Sequence, residues 1–303
     1  MLPAALALGL LGALHSLAPA SIGAPTPPPQ PIYGGDLVDP GTWPEVVALD
    51  ILENGFLCTG TLVTDRLVLT AAHCLQGQLT PSKIRILIGD RTSTPSFTTV
   101  ADAYGAHPDY CDDLDACKED IHDYAWVVLR DPAPPTPAKV LVRQDEWDRA
   151  LKVDAPITLV GYGEDENGNR GIKRIAETTI RDFSSTGNEF LAGGMGVDSC
   201  QGDSGGPAFV IVDGQPLLVG ITSRGYDCGE GGFYAVPYPM LCWISDQSGI
   251  DVRPADCGTC TCLDTSEAEG CGCRAPADDR DPLLLLAPLG IAALVRARRR
   301  ASR

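Results

Sequence analysis

The run Asp198-Ser199-Cys200-Gln201-Gly202-Asp203-Ser204-Gly205-Gly206-Pro207 constrains this chain more than any other stretch. A serine hydroxyl barely ionises at neutral pH. It attacks a carbonyl only when a base takes its proton and nearby donors stabilise the oxygen anion that forms. Glycines on both sides of Ser204 permit that geometry. Gly202, with no side chain, aims its backbone N–H together with that of Ser204 at one point, where losing a single donor raises such a barrier by ~3 kcal/mol. A Gly-rich surface turn has the same composition, so the weight of the run depends on a base and an acid elsewhere.

The search for a base is short, because the chain has four histidines, His15, His73, His107 and His122. His15 lies in an apolar leader. His73 follows Leu67-Val68-Leu69-Thr70-Ala71-Ala72, so a buried strand ends in small residues that bring the ring to the surface. An imidazole base also needs a carboxylate to fix its tautomer, and Asp120 and Asp123 compete for that place.

The segments Leu57-Cys58-Thr59-Gly60-Thr61-Leu62, Thr70-Ala71-Ala72-His73-Cys74 and Gly202-Asp203-Ser204-Gly205-Gly206 together resemble the chymotrypsin-type serine proteases. The chain order His, Asp, Ser is also that of this type. The resemblance implies an all-β fold of two antiparallel six-stranded β-barrels with the triad in the cleft between them. A short C-terminal helix is expected over Tyr238 to Gln247. His73 is then the general base, Ser204 the nucleophile, and the N–H groups of Gly202 and Ser204 the oxyanion hole. Asp123-Tyr124-Ala125-Trp126-Val127-Val128-Leu129 matches the family pattern for the orienting acid, an Asp followed by a small residue and an apolar strand. Asp120, in Asp120-Ile121-His122, has no such continuation, and Asp123 is favoured.

The same resemblance places Asp198, six residues before the nucleophile, at the floor of the primary pocket. A buried carboxylate there selects Lys or Arg before the scissile bond, because a buried charge left unpaired is costly. Ser223, Arg224, Gly225 and Gly232 line the pocket walls, and the two glycines leave room for a long cationic side chain. Ile32-Tyr33-Gly34-Gly35 looks like the mature N-terminus of the family, whose new ammonium pairs with the aspartate before the nucleophile, here Asp203. The implied disulfides are Cys58 with Cys74, Cys111 with Cys117 in a short loop, and Cys200 with Cys228.

Three departures from the family pattern stand out. Arg224 replaces the usual aromatic platform, which suggests recognition of acidic residues upstream of the cut. Eight residues separate Arg181 from Phe190, so a loop beside the cleft is trimmed. No pair of calcium-binding glutamates lies between Gly89 and Val100, and neither a metal nor a cofactor is implied.

A chain of 303 residues, 44% hydrophobic, buries a sizeable core. Local patterns give strands at Ile84-Arg85-Ile86-Leu87-Ile88 and a hairpin from Ala208–Val212 through Asp213-Gly214 into Leu217–Ile221. The protease domain is expected over 32–253, with the Pro-rich stretch 131–137 between its halves.

The apolar core Leu6 to Leu14, followed by small-residue sites, reads as a signal peptide over 1–24, with a propeptide at 25–31. Export into oxidising surroundings agrees with the twelve cysteines. Because Pro31 precedes Ile32, an enzyme specific for Lys or Arg does not activate itself, and a second protease is implied as a partner.

Beyond a Cys-rich linker at 254–280, which holds Cys257, Cys260, Cys262, Cys271 and Cys273, the tail 281–303 combines an uncharged run with Arg296, Arg298, Arg299 and Arg300. This resembles the Cys-Gly-Cys, apolar helix and Arg-cluster sorting tails of myxobacterial surface proteins. It implies membrane contact through the tail, a processing enzyme as a further partner, and a final location at the cell surface. A permanent inner-membrane anchor and a zinc-binding cysteine cluster are competing readings. Export and the lack of two Cys-x2-Cys pairs weigh against zinc.

The net charge is −17, and five tail arginines contribute +5, so the rest carries −22. Nucleic acid is thereby excluded as a partner. Protein or peptide substrates with Lys or Arg before the scissile bond are expected. A noncatalytic binding module on a protease fold is the reading from another class.

Overall fold

The computed structural model describes residues 32–113, 117, 121–254, 257 and 260. The expected leader, propeptide and tail, and the alternative acid Asp120, lie outside the described residues.

Val46-Val47-Ala48-Leu49 and Ala125-Trp126-Val127-Val128-Leu129 are continuous buried apolar runs, and each forms a strand with both faces covered. They belong to a closed barrel of six strands: β2 (Val46–Ile51), β3 (Phe56–Thr64), β4 (Leu67–Thr70), β5 (Ile84–Ile88), β6 (Phe97–Ala106) and β7 (Ala125–Leu129). Its order is β2-β3-β4-β7-β6-β5. A second barrel comprises β9 (Pro156–Gly161), β10 (Arg174–Phe183), β11 (Glu189–Ala192), β12 (Pro207–Val212), β13 (Gln215–Gly225) and β14 (Gly232–Ala235). Its order is β10-β11-β14-β13-β12-β9, and the β9–β10 pairing closes it. The short β1 (Asp36–Leu37) pairs with β10, and β8 (Lys139–Val140) lies parallel to β13. The expected all-β architecture of two antiparallel six-stranded barrels is therefore present.

Closure leaves no long strand edge unpaired, and the larger buried cluster joins first-barrel side chains to Phe209, Leu218 and Ile221 of the second barrel. Leu49, Leu62, Leu69, Ile86 and Val127 belong to one buried cluster. Ile157, Ile180, Phe190, Val210 and Val219 belong to another. The β12–β13 hairpin turns at Asp213 and Gly214, with φ of 50° and 76°. This doubly left-handed turn matches the twist of the strands, and Asp-Gly supplies it at low cost.

The C-terminal helix begins as a 3-10 turn, Tyr238–Met240, and continues as α2 (Leu241–Ser248), one residue past the expected end. Another helix, α1 (Gln144–Ala150), was not expected. It has Asp145 and Glu146 in its first turn and an Arg149–Asp145 ion pair four residues apart.

Bonds between the barrels set the cleft. Tyr162, just past β9, places its hydroxyl 2.6 Å from Gly89 O and 3.1 Å from Val46 O. Lys173 is buried, donates through Nζ to Trp43 O at 2.6 Å, and lies over the Tyr162 ring. Desolvation pulls its pKa from the usual 10.5 down to about 8, against the opposing pull of Asp90 and Glu45.

Four disulfides join pairs of described cysteines. Cys58–Cys74, Cys111–Cys117 and Cys200–Cys228 are the three pairs expected. Cys242–Cys260 joins α2 to the Cys-rich stretch, and Cys257 is disulfide-bonded as well. Cys242, Cys257 and Cys260 had no assigned partners in the sequence. Among the described residues, no helix is long and apolar enough to cross a membrane.

Candidate active site

Asp123 is the convergence point of the cleft. It stands two residues before β7, buried, and its carboxylate is met from three directions. Oδ1 accepts the backbone N–H of His73 at 2.9 Å, Oδ2 lies 2.8 Å from His73 Nδ1, and Ser223 Oγ donates to Oδ2 at 2.7 Å. Asp123 is 1% exposed and the His73 side chain 27%, so the imidazole bridges a buried anion and the open cleft. With Nδ1 committed to the carboxylate, Nε2 is the nitrogen available for proton transfer. Tyr110, close to the same carboxylate, has its pKa pushed up to about 12 by burial and then by Asp123, and stays a neutral hydroxyl.

One strand tethers both His73 and Ser204. His73 sits on a 3-10 turn, Ala72–Leu75, whose Cys74 is disulfide-bonded to Cys58 of β3. The next residue of β3, Thr59, donates its N–H to Ser204 O and its hydroxyl to Gly202 O, both at 2.8 Å. β3 therefore fixes the base on one side and the serine turn on the other. The turn depends on Gly205, where φ is +77° and a Cβ would run into Thr70 Oγ1 and lie 2.6 Å from Thr59 O. The N–H groups of Asp203 and Gly206 are bonded within the turn, to Cys200 O and Asp203 O, and that of Gly205 donates to Thr222 O of β13. Those of Gly202 and Ser204 have no acceptor among the described residues. Two free donors beside a serine are what a developing oxyanion requires.

Asp203 points inward from this turn. Its carboxylate accepts Gly163 N–H at 2.8 Å and Cys200 N–H at 2.9 Å, and burial pushes its pKa up to about 7. Ile32 is buried in the second barrel's core, and Asp198 N–H donates to Tyr33 O at 2.9 Å. The segment before β1 is thus seated beside the loop that carries Asp198.

Asp198 is buried at the base of that loop. It accepts Gly231 N–H at 2.8 Å, Ser199 N–H at 2.7 Å and the Tyr234 hydroxyl at 3.1 Å. Burial raises its pKa despite these bonds. Gly232 lies directly against it: a Cβ there would stand 3.3 Å from Asp198 Oδ1 and 3.2 Å from Ser199 Oγ. Gly225 is paired with Gly232 across β13–β14, and the Cys200–Cys228 disulfide ties the two loops together. Ser223, grouped with the pocket wall from sequence, directs its hydroxyl to Asp123.

Arg224 departs from expectation. The sequence suggested a positive charge open to substrate, but the guanidinium donates to both oxygens of Glu189, at 2.8 and 2.7 Å, and stacks 4.4 Å over the Phe233 ring. Its charge is already answered within the fold. Glu189 sits 35 positions away in β11 and carried no sequence signal for this role. Cys58, His73 and Cys74 are close enough to group as metal-ligating types, but both sulfurs are bound to each other.

A buried carboxylate orienting an imidazole, a glycine-flanked serine and two free N–H donors define the machinery of acyl transfer. Comparisons with known proteins agree. The chain matches the profile of the Trypsin family over residues 32–244. It is 31% identical over 222 residues to "Trypsin" of Saccharopolyspora erythraea, an overlap spanning 67% of this chain and 92% of that protein. The chain belongs to the trypsin family of serine proteases.

Proposed function

We propose that the protein is a secreted, surface-sorted endopeptidase that cleaves after Lys or Arg, with Ser204 as nucleophile, His73 as base and Asp123 as orienter. The observation that carries the catalytic part is the Asp123 carboxylate, buried and bonded to both the backbone and the ring of His73. In the forward step Ser204 Oγ bonds to the scissile carbonyl carbon while His73 Nε2 takes the hydroxyl proton. The carbonyl oxygen becomes an anion held by the N–H groups of Gly202 and Ser204. Collapse breaks the C–N bond, the amine leaves with the proton from His73, and an acyl-enzyme remains. Water, deprotonated by His73, then attacks the ester and regenerates Ser204. Asp123 holds the ring's orientation and stabilises the imidazolium.

The specificity part rests on Asp198. Its carboxylate lies against Gly232, and its raised pKa, caused by burial, marks an anion short of a countercharge, which a lysine or arginine side chain would supply. Arg224, paired with Glu189, supplies a neutral platform for residues further upstream. Cleavage before Ile32, after Pro31, calls for a second protease and releases an ammonium that pairs with Asp203. Residues 1–24 direct export. Residues 281–303 are removed by a processing enzyme, and retention follows through the Cys271 or Cys273 region.

Labelling with a serine-directed phosphonate tests the core of the proposal, with Ser204→Ala as control. The wild type is expected to incorporate one label and to hydrolyse Arg and Lys esters. An unlabelled wild type, or equal labelling of Ser204→Ala, overturns the catalytic assignment, and a preference for Phe or Leu esters overturns the pocket. For the tail, mass spectrometry of protein from its native cells should find residues 281–303 missing. Their presence on the surface form would make the tail a permanent anchor.

A further inference from the structure

Asp198 is connected to a cation on β10 through a single peptide group. β10 pairs with β11 as Ile180 opposite Ala192 and Asp182 opposite Leu191, so the register slips by one residue at Arg181. An extra residue of this kind bends the strand and re-aims its own side chain. Here the guanidinium reaches both loops that surround Asp198. Arg181 Nη1 donates to Gly193 O and to Glu230 O, each at 3.4 Å. Gly193 belongs to the stretch that runs from β11 into Asp198, and Glu230 to the loop between β13 and β14.

Both contacts continue to the carboxylate. Glu230 O and Gly231 N–H are the two ends of one amide, and that N–H donates to Asp198 Oδ2 at 2.8 Å. A chain of hydrogen bonds therefore runs from cation to anion, and each bond in such a chain polarises the next. On the other branch Gly193 lies between the two groups: its carbonyl accepts from Arg181, and a Cβ added to it would stand 2.7 Å from Asp198 Oδ1. Glycines keep the route open. A Cβ on Gly194 would lie 2.8 Å from Arg181 Nη1, and one on Gly231 3.2 Å from it. The stretch Gly193-Gly194-Met195-Gly196 has φ of 77°, 99°, 58° and 85° in succession, a backbone with much freedom to lose, so an anchor on its carbonyl has a large effect on its order. The other donors to Asp198 are Ser199 and the Tyr234 hydroxyl, and Asp203 is the like charge nearby.

We propose that Arg181 is a positioning residue for the primary pocket, holding both loops by their carbonyls and polarising the 230–231 amide toward Asp198, so that the carboxylate is aligned before a Lys or Arg side chain arrives. This rests on the reading of Asp198 as the determinant of that preference. The ordering of the pocket is then completed in the fold and is not deducted from substrate affinity. Arg181 is itself an exposed residue, so a neutral side chain in its place leaves neither a buried charge nor a void.

The test measures kcat and KM on an Arg ester and on a Leu ester, from about pH 4 to 8, for the active enzyme and its Arg181 variants. His73 serves both reactions and cancels in the ratio of the two kcat/KM values, which leaves the titration of Asp198. Arg181→Met should raise KM for the Arg ester about fivefold or more with kcat nearly unchanged, and keep KM for the Leu ester within about twofold of wild type. A weaker donor leaves the Asp198 anion easier to protonate, so the pH at which the Arg-over-Leu ratio is lost should rise by about half a unit. Arg181→Lys keeps a cation and a donor, and should recover most of both effects. Equal changes on the two esters would mean a general loosening of the fold and would overturn the proposal, as would an Arg-ester KM that does not move. An acid limb that stays at its wild-type position overturns it as well, because the hydrogen-bond chain would then carry nothing. If wild type itself shows no preference for Arg over Leu, the reading of Asp198 falls first and this inference falls with it.

Discussion

Glu189 holds Arg224 with both carboxylate oxygens, at 2.8 and 2.7 Å, in a pair whose side chains are 3% and 19% exposed. The pair converts a cationic wall beside the cleft into a neutral one. Wild-type protein should therefore show no enrichment of acidic residues two to four positions before the cut. Glu189→Gln frees the guanidinium and should create that enrichment in a substrate-library profile. Breaking one side of a buried pair typically costs ~3 kcal/mol, so the variant should also melt about 5–10 °C lower. An acidic preference already present in wild type would show that the pair opens when substrate binds.

Ser223 is expected to support the imidazole without touching substrate. Its hydroxyl is one of three donors to Asp123, and a hydrogen bond to a charged group contributes ~1.5–3 kcal/mol. Ser223→Ala should lower kcat by roughly tenfold or more and change KM little. Steady-state kinetics on an Arg ester would check this, and a rise in KM with kcat intact would place Ser223 in substrate binding instead.

Asp198→Ser should abolish the preference for Lys and Arg. It removes a buried anion held by Gly231, Ser199 and Tyr234, so the variant should fold at least as well as wild type. Comparing kcat/KM for Arg and Leu esters is the measurement. An unchanged ratio would place the specificity determinant elsewhere.

Lys173 predicts an unusual pH dependence of stability. Its pKa is about 8 in the fold against the usual 10.5, so between those values the unfolded chain holds a proton that the folded protein has lost. Stability from this group therefore rises as pH climbs through that window and is flat below it. The difference in melting temperature between wild type and Lys173→Met should shift in favour of wild type from pH 7.5 to 10. A difference independent of pH would mean the amine keeps its ordinary affinity for protons.

Ser204, His73 and Asp198 stand in short runs whose neighbours are dictated by local geometry: glycines where φ is positive, small residues where a strand must end, cysteines where a turn is stapled. Chemistry that depends on covalent neighbours is legible in sequence. Asp123 was separable from Asp120 only by the strand that follows it. Glu189 lies outside this class, because it is defined by Arg224, 35 positions away across the sheet, and nothing in its own neighbours encodes that pairing. The α1 helix was legible in principle, from acids in its first turn and an arginine four residues after Asp145, but at seven residues its apolar periodicity is too short to register.

The Cys242–Cys260 disulfide has a mechanical meaning. Residues 243–259 form a covalently closed loop, so a pull on the chain beyond Cys260 enters the fold at Cys242 and bypasses everything between. Leu241 and Ile244 of α2 are buried in the core of the first barrel, and the load is delivered beside them instead of peeling the helix from its far end. Unravelling from that terminus stops at a covalent knot as long as the bond stays oxidised. Reduction would turn the same segment into about 17 residues of extra slack, roughly 60 Å at full extension, between α2 and the chain beyond Cys260.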